Sequence, residues 1–260
     1  MAAPPALRWL DAVTGVLDEI AATQAEAIET ASQWAADAIS ADGLVHLFGT
    51  GHSRIPVEEM FPRYGSYPGF NPMVELSMTF HTQVVGANGQ RQAMYIERTP
   101  GLAEVILSNF TFGPSDVMMV FSAGGTTAVP VEIARGARAR GIRVIAVTAV
   151  RESQTAPVDP LVGTRLLDEA DLVIDLCTPE ADALSWIEGL DTPVGPASTI
   201  AAVVIVNSIK VRTAELLVAR GTMPPVLTRA SVVGAERSRE LFDSAYREHA
   251  RRIARVVGRG

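Results

Sequence analysis

Cysteine is almost missing from this chain. The single thiol, Cys177, excludes an internal disulfide and suits a reducing compartment. Histidine is scarce too. The four, His46, His52, His81 and His249, show no metal-ligand spacing with one another or with Cys177, so no metal is expected. Positive charge is in deficit: 22 Lys and Arg against 29 Asp and Glu give a net charge of −7, which argues against a nucleic-acid partner. No stretch approaches the ~20 apolar residues of a membrane span, and Arg8, Asp11, Asp18 and Glu19 interrupt any apolar signal core near the start. No membrane partner is expected. The run Gly49-Thr50-Gly51-His52-Ser53-Arg54 lacks the third glycine of a dinucleotide fingerprint, and no Walker loop occurs, so no cofactor is expected either. The composition then reads as a soluble, cytoplasmic protein. At 260 residues and 48% apolar, it can bury a core without staples.

What is present is organised around one stretch. Residues 116–121 are rich in apolar side chains, Ser122-Ala123-Gly124-Gly125-Thr126-Thr127 form a turn of small and hydroxyl-bearing residues, and 128–140 have helical spacing. A strand that empties into a helix offers free backbone N–H groups and the positive end of the helix dipole, which suits an anion such as phosphate. Ser122, Thr126 and Thr127 can add hydrogen bonds, while Gly124 and Gly125 let a ligand approach the backbone. A second turn of the same design, Gly49-Thr50-Gly51-His52-Ser53, follows the apolar run 44–48. Turn chemistry alone also favours Ser, Thr and Gly; two such turns at strand ends reinforce the anion reading.

Around these turns the pattern predicts helix over 5–41, so that 1–43 forms an N-terminal helical flank, with further helices over 56–64 and 100–110. Strands are expected at 142–148 and 171–176, and the strand–helix–strand unit makes the sheet parallel at its centre. Residues 65–72 and 151–163 read as loops, and 74–78 and 94–97 as strand candidates. The long connection 178–196 reads as a lid or substrate loop ending in Ala197-Ser198-Thr199, a cap for the apolar helix 200–219. The main domain then spans 44–227, and 228–260 form a charged helical tail packed on it, helical from about residue 236.

These motifs resemble those of the sugar isomerase (SIS) domain proteins, which include phosphosugar isomerases of the sedoheptulose 7-phosphate isomerase type. Gly49 to Ser53 matches their first strand-end motif, Phe121 to Thr127 stands where they have a Ser-x-Ser-Gly-x-Thr phosphate loop, and Val147-Thr148 closes the next strand as theirs does. The runs Ser122 to Pro130 and Gly141 to Thr148, with Pro224-Pro225-Val226, also resemble a group of bacterial single-domain members of unassigned function. The resemblance implies a doubly wound α/β three-layer sandwich with a five-stranded parallel sheet, assembled as a homodimer or homotetramer. It implies that Ser53, Ser122 and Thr127 bind phosphate, with Gly51, Gly124, Gly125 and Thr126 beside them, and that Ser198 and Thr199 face the sugar. One departure is plain: Gly124 replaces the middle serine of the phosphate loop.

Catalysis of aldose–ketose exchange through an enediol(ate) needs a base and an acid. Glu58-Glu59-Met60-Phe61-Pro62-Arg63-Tyr64 is similar to a Glu-Glu-Leu-x-x-Arg-Tyr segment of the heptose phosphate isomerases, which implies Glu59 as base. Carboxylates one turn into a helix also meet its dipole favourably, a structural explanation for the same residues. The histidine those enzymes carry on the last site helix is absent; Asn207, Ser208, Lys210 and Thr213 line that face instead, leaving His52 as the acid candidate. His46, inside a strand, reads as a core or edge residue, His249 is discounted, and Lys210, alone in an apolar helix, must partner a substrate, Glu215 or a buried carboxylate. The expected function is therefore a phosphosugar isomerase acting on a small sugar phosphate. The alternatives are a non-catalytic phosphosugar-binding regulator and an amino sugar phosphate lyase or deaminase.

Overall fold

The structure is a computed structural model that describes residues 4–79, 86–87 and 89–257; His81 lies outside the described residues. Five strands, β1 (Val45–Gly49), β2 (Phe70–Pro72), β3 (Val117–Phe121), β4 (Arg143–Thr148) and β5 (Leu172–Asp175), form a parallel sheet in the order β2-β1-β3-β4-β5. β1, β3 and almost all of β4 are buried, as parallel strands covered by helices must be. Side chains of β3 alternate between two cores. Val117, Met119 and Phe121 join the cluster under α1 (Arg8–Thr23), α2 (Ala25–Ser40), α3 (Ile55–Met60) and α9 (Ser198–Ala219). Met118 and Val120 join the cluster under α6 (Leu102–Leu107) and α7 (Ala128–Ala139). The result is the doubly wound, three-layer α/β sandwich that the motifs implied. Its strand order changes direction between β1 and β3, and ligands of such sheets bind at that switch point, outside the carboxyl ends.

Several local expectations need correction. Residues 65–72 end in a strand, β2; it is only three residues long and contains Pro72, which an edge strand tolerates because its outer N–H needs no partner. The strand candidates 74–78 and 94–97 fall instead in α4 (Leu76–Thr79) and at the end of α5 (Gly89–Ile96), because short apolar runs do not distinguish strand from buried helix. The loop 151–163 begins with a helix, α8 (Val150–Thr155), its prolines starting only at Pro157. The connection 178–196 contains an antiparallel pair, β6 (Ala183–Ser185) and β7 (Val194–Pro196). Helix α3 stops at Met60, shortly before Pro62.

The amino-terminal helices are divided at Gln24, whose side-chain carbonyl accepts the Asp175 N–H at 2.9 Å and so ties the break to β5. The tail folds as α10 (Ala230–Val233) and α11 (Ala235–Ile253). Arg252 of α11 is buried and donates to the carbonyls of Ile39 and Gly43 at 3.1 and 2.8 Å, covering the last turn of α2. No helix among the described residues is long and apolar enough to cross a membrane.

Candidate functional site

At the switch point the two glycine-and-hydroxyl turns meet. A cavity of about 360 Å³ is lined by Thr50, Gly51, His52 and Ser53 after β1, by Ser122 to Thr127 between β3 and α7, and by Ser198 at the start of α9. Thr199 lines a narrow adjoining recess with His52, Ser53, Ser122 and Ser198. The phosphate-loop candidates therefore converge, although three separate segments supply them.

The loop is shaped by its neighbours. The Ser122 N–H bonds the Val147 carbonyl at 3.2 Å, and the Ala123 carbonyl accepts from the Ala149 N–H (2.9 Å) and the Thr148 hydroxyl (3.0 Å). Gly125 sits at φ +61°, and a Cβ there would come within 2.7 Å of Thr148 Oγ1 and 2.8 Å of Ser153 Oγ, so both conformation and space demand glycine. Ser122 Oγ accepts the Gly125 N–H at 3.3 Å, which leaves the hydroxyl proton to donate. No side chain among the described residues caps α7, but its first turn has little left to offer an anion, since the Val129 N–H donates to the Glu97 carbonyl at 2.9 Å and Pro130 has no N–H; the loop before it supplies the donors.

Carboxylates, which the motif pattern did not single out, also face this cavity. Glu97, at the end of α5, accepts the Thr50 hydroxyl at 2.5 Å, and Arg98 lies beside it. Glu152, in the first turn of α8, lies against Gly124. Burial raises its pKa above the ordinary glutamate value, and the charges of Asp182 and Glu180 raise it further. Asp182 takes the capping role expected of Ser198. Its Oδ1 accepts the N–H groups of Ala197 and Ser198 at 3.0 and 2.7 Å, and Ser198 donates its hydroxyl to Oδ2 at 2.5 Å. Both Ala181 and Asp182 have positive φ, a strained turn that aims this carboxylate at the helix start.

Glu59 is positioned elsewhere. It lines a separate open cavity with Ile55, Glu58, Arg63, Tyr64 and Arg229. Arg63 donates to one carboxylate oxygen and the Asn207 amide to the other, at 3.0 Å. Burial pushes the Glu59 pKa up, but the Asn207 and Arg63 hydrogen bonds and the charges of Arg63 and Lys210 outweigh it and hold the group below the ordinary value. Lys210 is buried, donates to the Glu59 carbonyl at 2.8 Å and to Asn207 Oδ1 at 3.1 Å, and lies 4.0 Å from the Glu59 carboxylate. This carboxylate is the partner that a buried lysine required; Glu215 pairs instead with Arg212.

The SIS domain model matches residues 8–149, more than half of the chain. The chain belongs to the SIS domain family. A UPF0309 protein of Listeria monocytogenes is 30% identical over 240 residues, covering 92% of this chain and 95% of that protein. A UPF0309 protein of Streptomyces avermitilis is 30% identical over 248 residues, 95% of each. Among solved structures, phosphoheptose isomerase GmhA from Neisseria gonorrhoeae superposes with a TM-score of 0.50 at 12% identity, over 78% of this chain and 93% of that one. A phosphoheptose isomerase from Francisella tularensis does so with a TM-score of 0.50 at 13% identity, over 80% and 95%. At such identities the superpositions speak for the SIS fold alone.

Within that SIS fold, nine of the expected residues, Gly51, His52, Ser53, Ser122, Gly124, Gly125, Thr126, Thr127 and Ser198, line one cavity. Thr199 adjoins it and Glu59 does not line it. Glu97, Glu152 and Asp182 went unnoticed. Glu152 had a readable signal, since it begins one turn after Val147-Thr148, itself a strand end at the same edge of the sheet.

Proposed function

We propose that this SIS protein binds a sugar phosphate in the switch-point cavity and interconverts aldose and ketose phosphates. The phosphate rests on Ser122, Thr126, Thr127 and the backbone of the loop at Gly124 and Gly125, with Gly51 and Ser53 opposite, and Ser198 and Thr199 meet the sugar. The carrying observation is that both glycine-and-hydroxyl turns open on one cavity of about 360 Å³, a volume in the range of small-ligand sites. His52 is the acid that serves the oxygens, and Glu59, ionised at neutral pH, is the base that moves a proton between adjacent carbons, a role that requires it to leave its Arg63 and Asn207 contacts and reach the sugar from the separate cavity it lines.

Thermal-shift measurements with sugar phosphates and their unphosphorylated counterparts test the binding half: only the phosphorylated members raise the melting temperature. Equilibration of a supplied aldose phosphate with its ketose tests the chemistry. Glu59→Gln abolishes turnover and preserves the thermal shift; full turnover in that variant removes Glu59 from the mechanism.

A second reading, a non-catalytic sugar-phosphate-binding regulator, is favoured by one observation: Glu59 is tied to Arg63, Asn207 and Lys210 and lines a different cavity. It predicts ligand-dependent stabilisation with no turnover of any stabilising sugar. A cytoplasmic location and self-association belong to the same proposal. Val211 and Val218 of α9 are 60% and 65% exposed on an otherwise apolar helix, a face suited to a second copy. Sedimentation equilibrium of wild type and Val211→Glu tests this; a monomer in both ends the idea.

A further inference from the structure

The loop that should hold phosphate lacks one hydroxyl, at Gly124, and a carboxyl occupies the space. A Cβ on Gly124 would lie 3.3 Å from Glu152 Oε1, so the Glu152 head group stands where a side chain at 124 would project. The other oxygen, Oε2, is shielded from solvent and has no hydrogen-bond partner among the described residues. The neighbouring acids differ. Asp182 caps α9, Asp175 accepts the N–H groups of Val150 and Cys177 at 3.0 and 2.9 Å, and Glu97 accepts the Thr50 hydroxyl. Glu152 alone of these four carboxyls has an oxygen in this state, and it lines the cavity.

Resting on the sugar-phosphate reading of the cavity, we propose that Glu152 is a specificity-determining residue that supplies the hydrogen-bond donor Gly124 lacks, facing the phosphate as a carboxylic acid. An ionised carboxylate has only acceptors and would repel a phosphate; the protonated acid has one O–H to give. The surroundings favour that form. Burial, Asp182 and Glu180 all press Glu152 towards protonation, and an arriving phosphate adds negative charge. The cations nearby are occupied or distant in role: Arg151 pairs with Glu19 at 2.7 Å, and Arg165 donates to the Ser153 carbonyl at 2.6 Å and the Ala156 carbonyl at 3.3 Å. Across the cavity stand His52, Glu97 and Arg98, the last also bonded to the Met94 carbonyl. Asp175 bounds α8 on the β5 side.

The assignment makes phosphate binding consume a proton at Glu152. Inorganic phosphate is titrated calorimetrically into the full chain, wild type and Glu152→Gln, at pH 5.5 and pH 8 in buffers of different ionisation enthalpy. The ligand's own titration is common to both proteins and cancels in their ratio. Glutamine donates at every pH, so the wild-type affinity relative to Glu152→Gln falls about tenfold between the two pH values, the weight of one charge-assisted hydrogen bond. At pH 8 wild type also takes up more protons per phosphate bound, by up to one.

Glu152→Ala weakens binding about tenfold at pH 5.5, and Gly124→Ser with Glu152→Ala restores it by returning a hydroxyl to the loop. Phosphate binding by wild type with the same proton uptake and pH profile as Glu152→Gln overturns the assignment alone. No phosphate binding by wild type at either pH overturns the sugar-phosphate reading, and this assignment with it.

Discussion

The two ends of the central sheet carry a buried carboxyl, Asp116, and a half-buried one, Glu152, in opposite states. At the amino-terminal end, Asp116 accepts the Leu44 N–H at 2.8 Å, the Gly113 N–H at 2.7 Å and His46 Nε2 at 3.0 Å. The Asn71 amide reaches His46 Nδ1 at 2.9 Å, so a neutral ring with its proton on Nε2 satisfies every contact. At the carboxyl end, Glu152 keeps a buried oxygen without a partner. The pKa directions follow. Burial raises Asp116, but His46 and the two backbone donors outweigh it and hold it below the ordinary value, whereas burial and like charges raise Glu152. A carboxyl whose bonds are all made within the chain serves the fold, while one left incomplete beside an open cavity is available to a ligand.

The sharpest way to test that contrast is to break the completed end. Asp116→Ala leaves the Leu44 and Gly113 N–H groups and His46 buried without their acceptor. The expected loss is about 3–5 kcal/mol of stability, read as a lower midpoint in urea. Phosphate affinity of the folded protein stays unchanged, because the pair lies at the other end of the strands from the cavity. A variant of wild-type stability would remove the distinction between the two ends.

At the open end the expected effects are smaller and touch binding. Gly125→Ala places a Cβ against Thr148 and Ser153 at a positive φ, costing about 2–3 kcal/mol and weakening phosphate binding as the loop shifts. Asp182→Ala removes the acceptor for Ala197 and Ser198 at the start of α9 and costs about 1 kcal/mol, the usual worth of a helix cap. Asp182→Asn keeps an acceptor and removes the charge, so the Glu152 pKa moves down towards the ordinary value. Carbon-13 NMR titration of the Glu152 carboxyl reads that shift, and an unmoved titration would exclude Asp182 as a cause.

The same contrast explains what could be read in advance. The β3 strand, its turn and α7 were legible because a continuous apolar run, glycine with hydroxyls, and helical spacing follow one another without interruption. β2 was not, being three residues long and ending in proline, and α4 and α5 were lost to the ambiguity of short apolar runs. Lys210 was legible as half of a pair, since a lysine is rarely buried alone, but that its partner is Glu59 depends on α3 packing on α9. Asp182 could not be anticipated as a cap, because its reach to Ser198 follows from the positive-φ turn at Ala181 and Asp182. The strand–helix–strand pattern implied β3 and β4 in one parallel sheet, but that Glu152 turns its carboxyl onto Gly124 depends on α8 starting directly after β4, where a loop was expected.

The smallest effect separates the two ends by sign. Asp116, with its lowered folded-state pKa, contributes stability that is fully present above the unfolded value of ~3.9 and is lost as pH falls through the folded value. Glu152 does the reverse. Its raised pKa means that the ionised form penalises the folded state above the folded pKa, and the penalty fades as pH falls through that value towards the unfolded ~4.3. Glu152→Gln therefore stabilises the protein slightly at pH 8, by less than about 1 kcal/mol for a group only partly buried, and the gain disappears by about pH 4. Urea midpoints of wild type and Glu152→Gln across pH 4–8 measure it. A constant difference would mean that Glu152 titrates like an exposed glutamate, and its unpartnered Oε2 would then have no energetic consequence for the site.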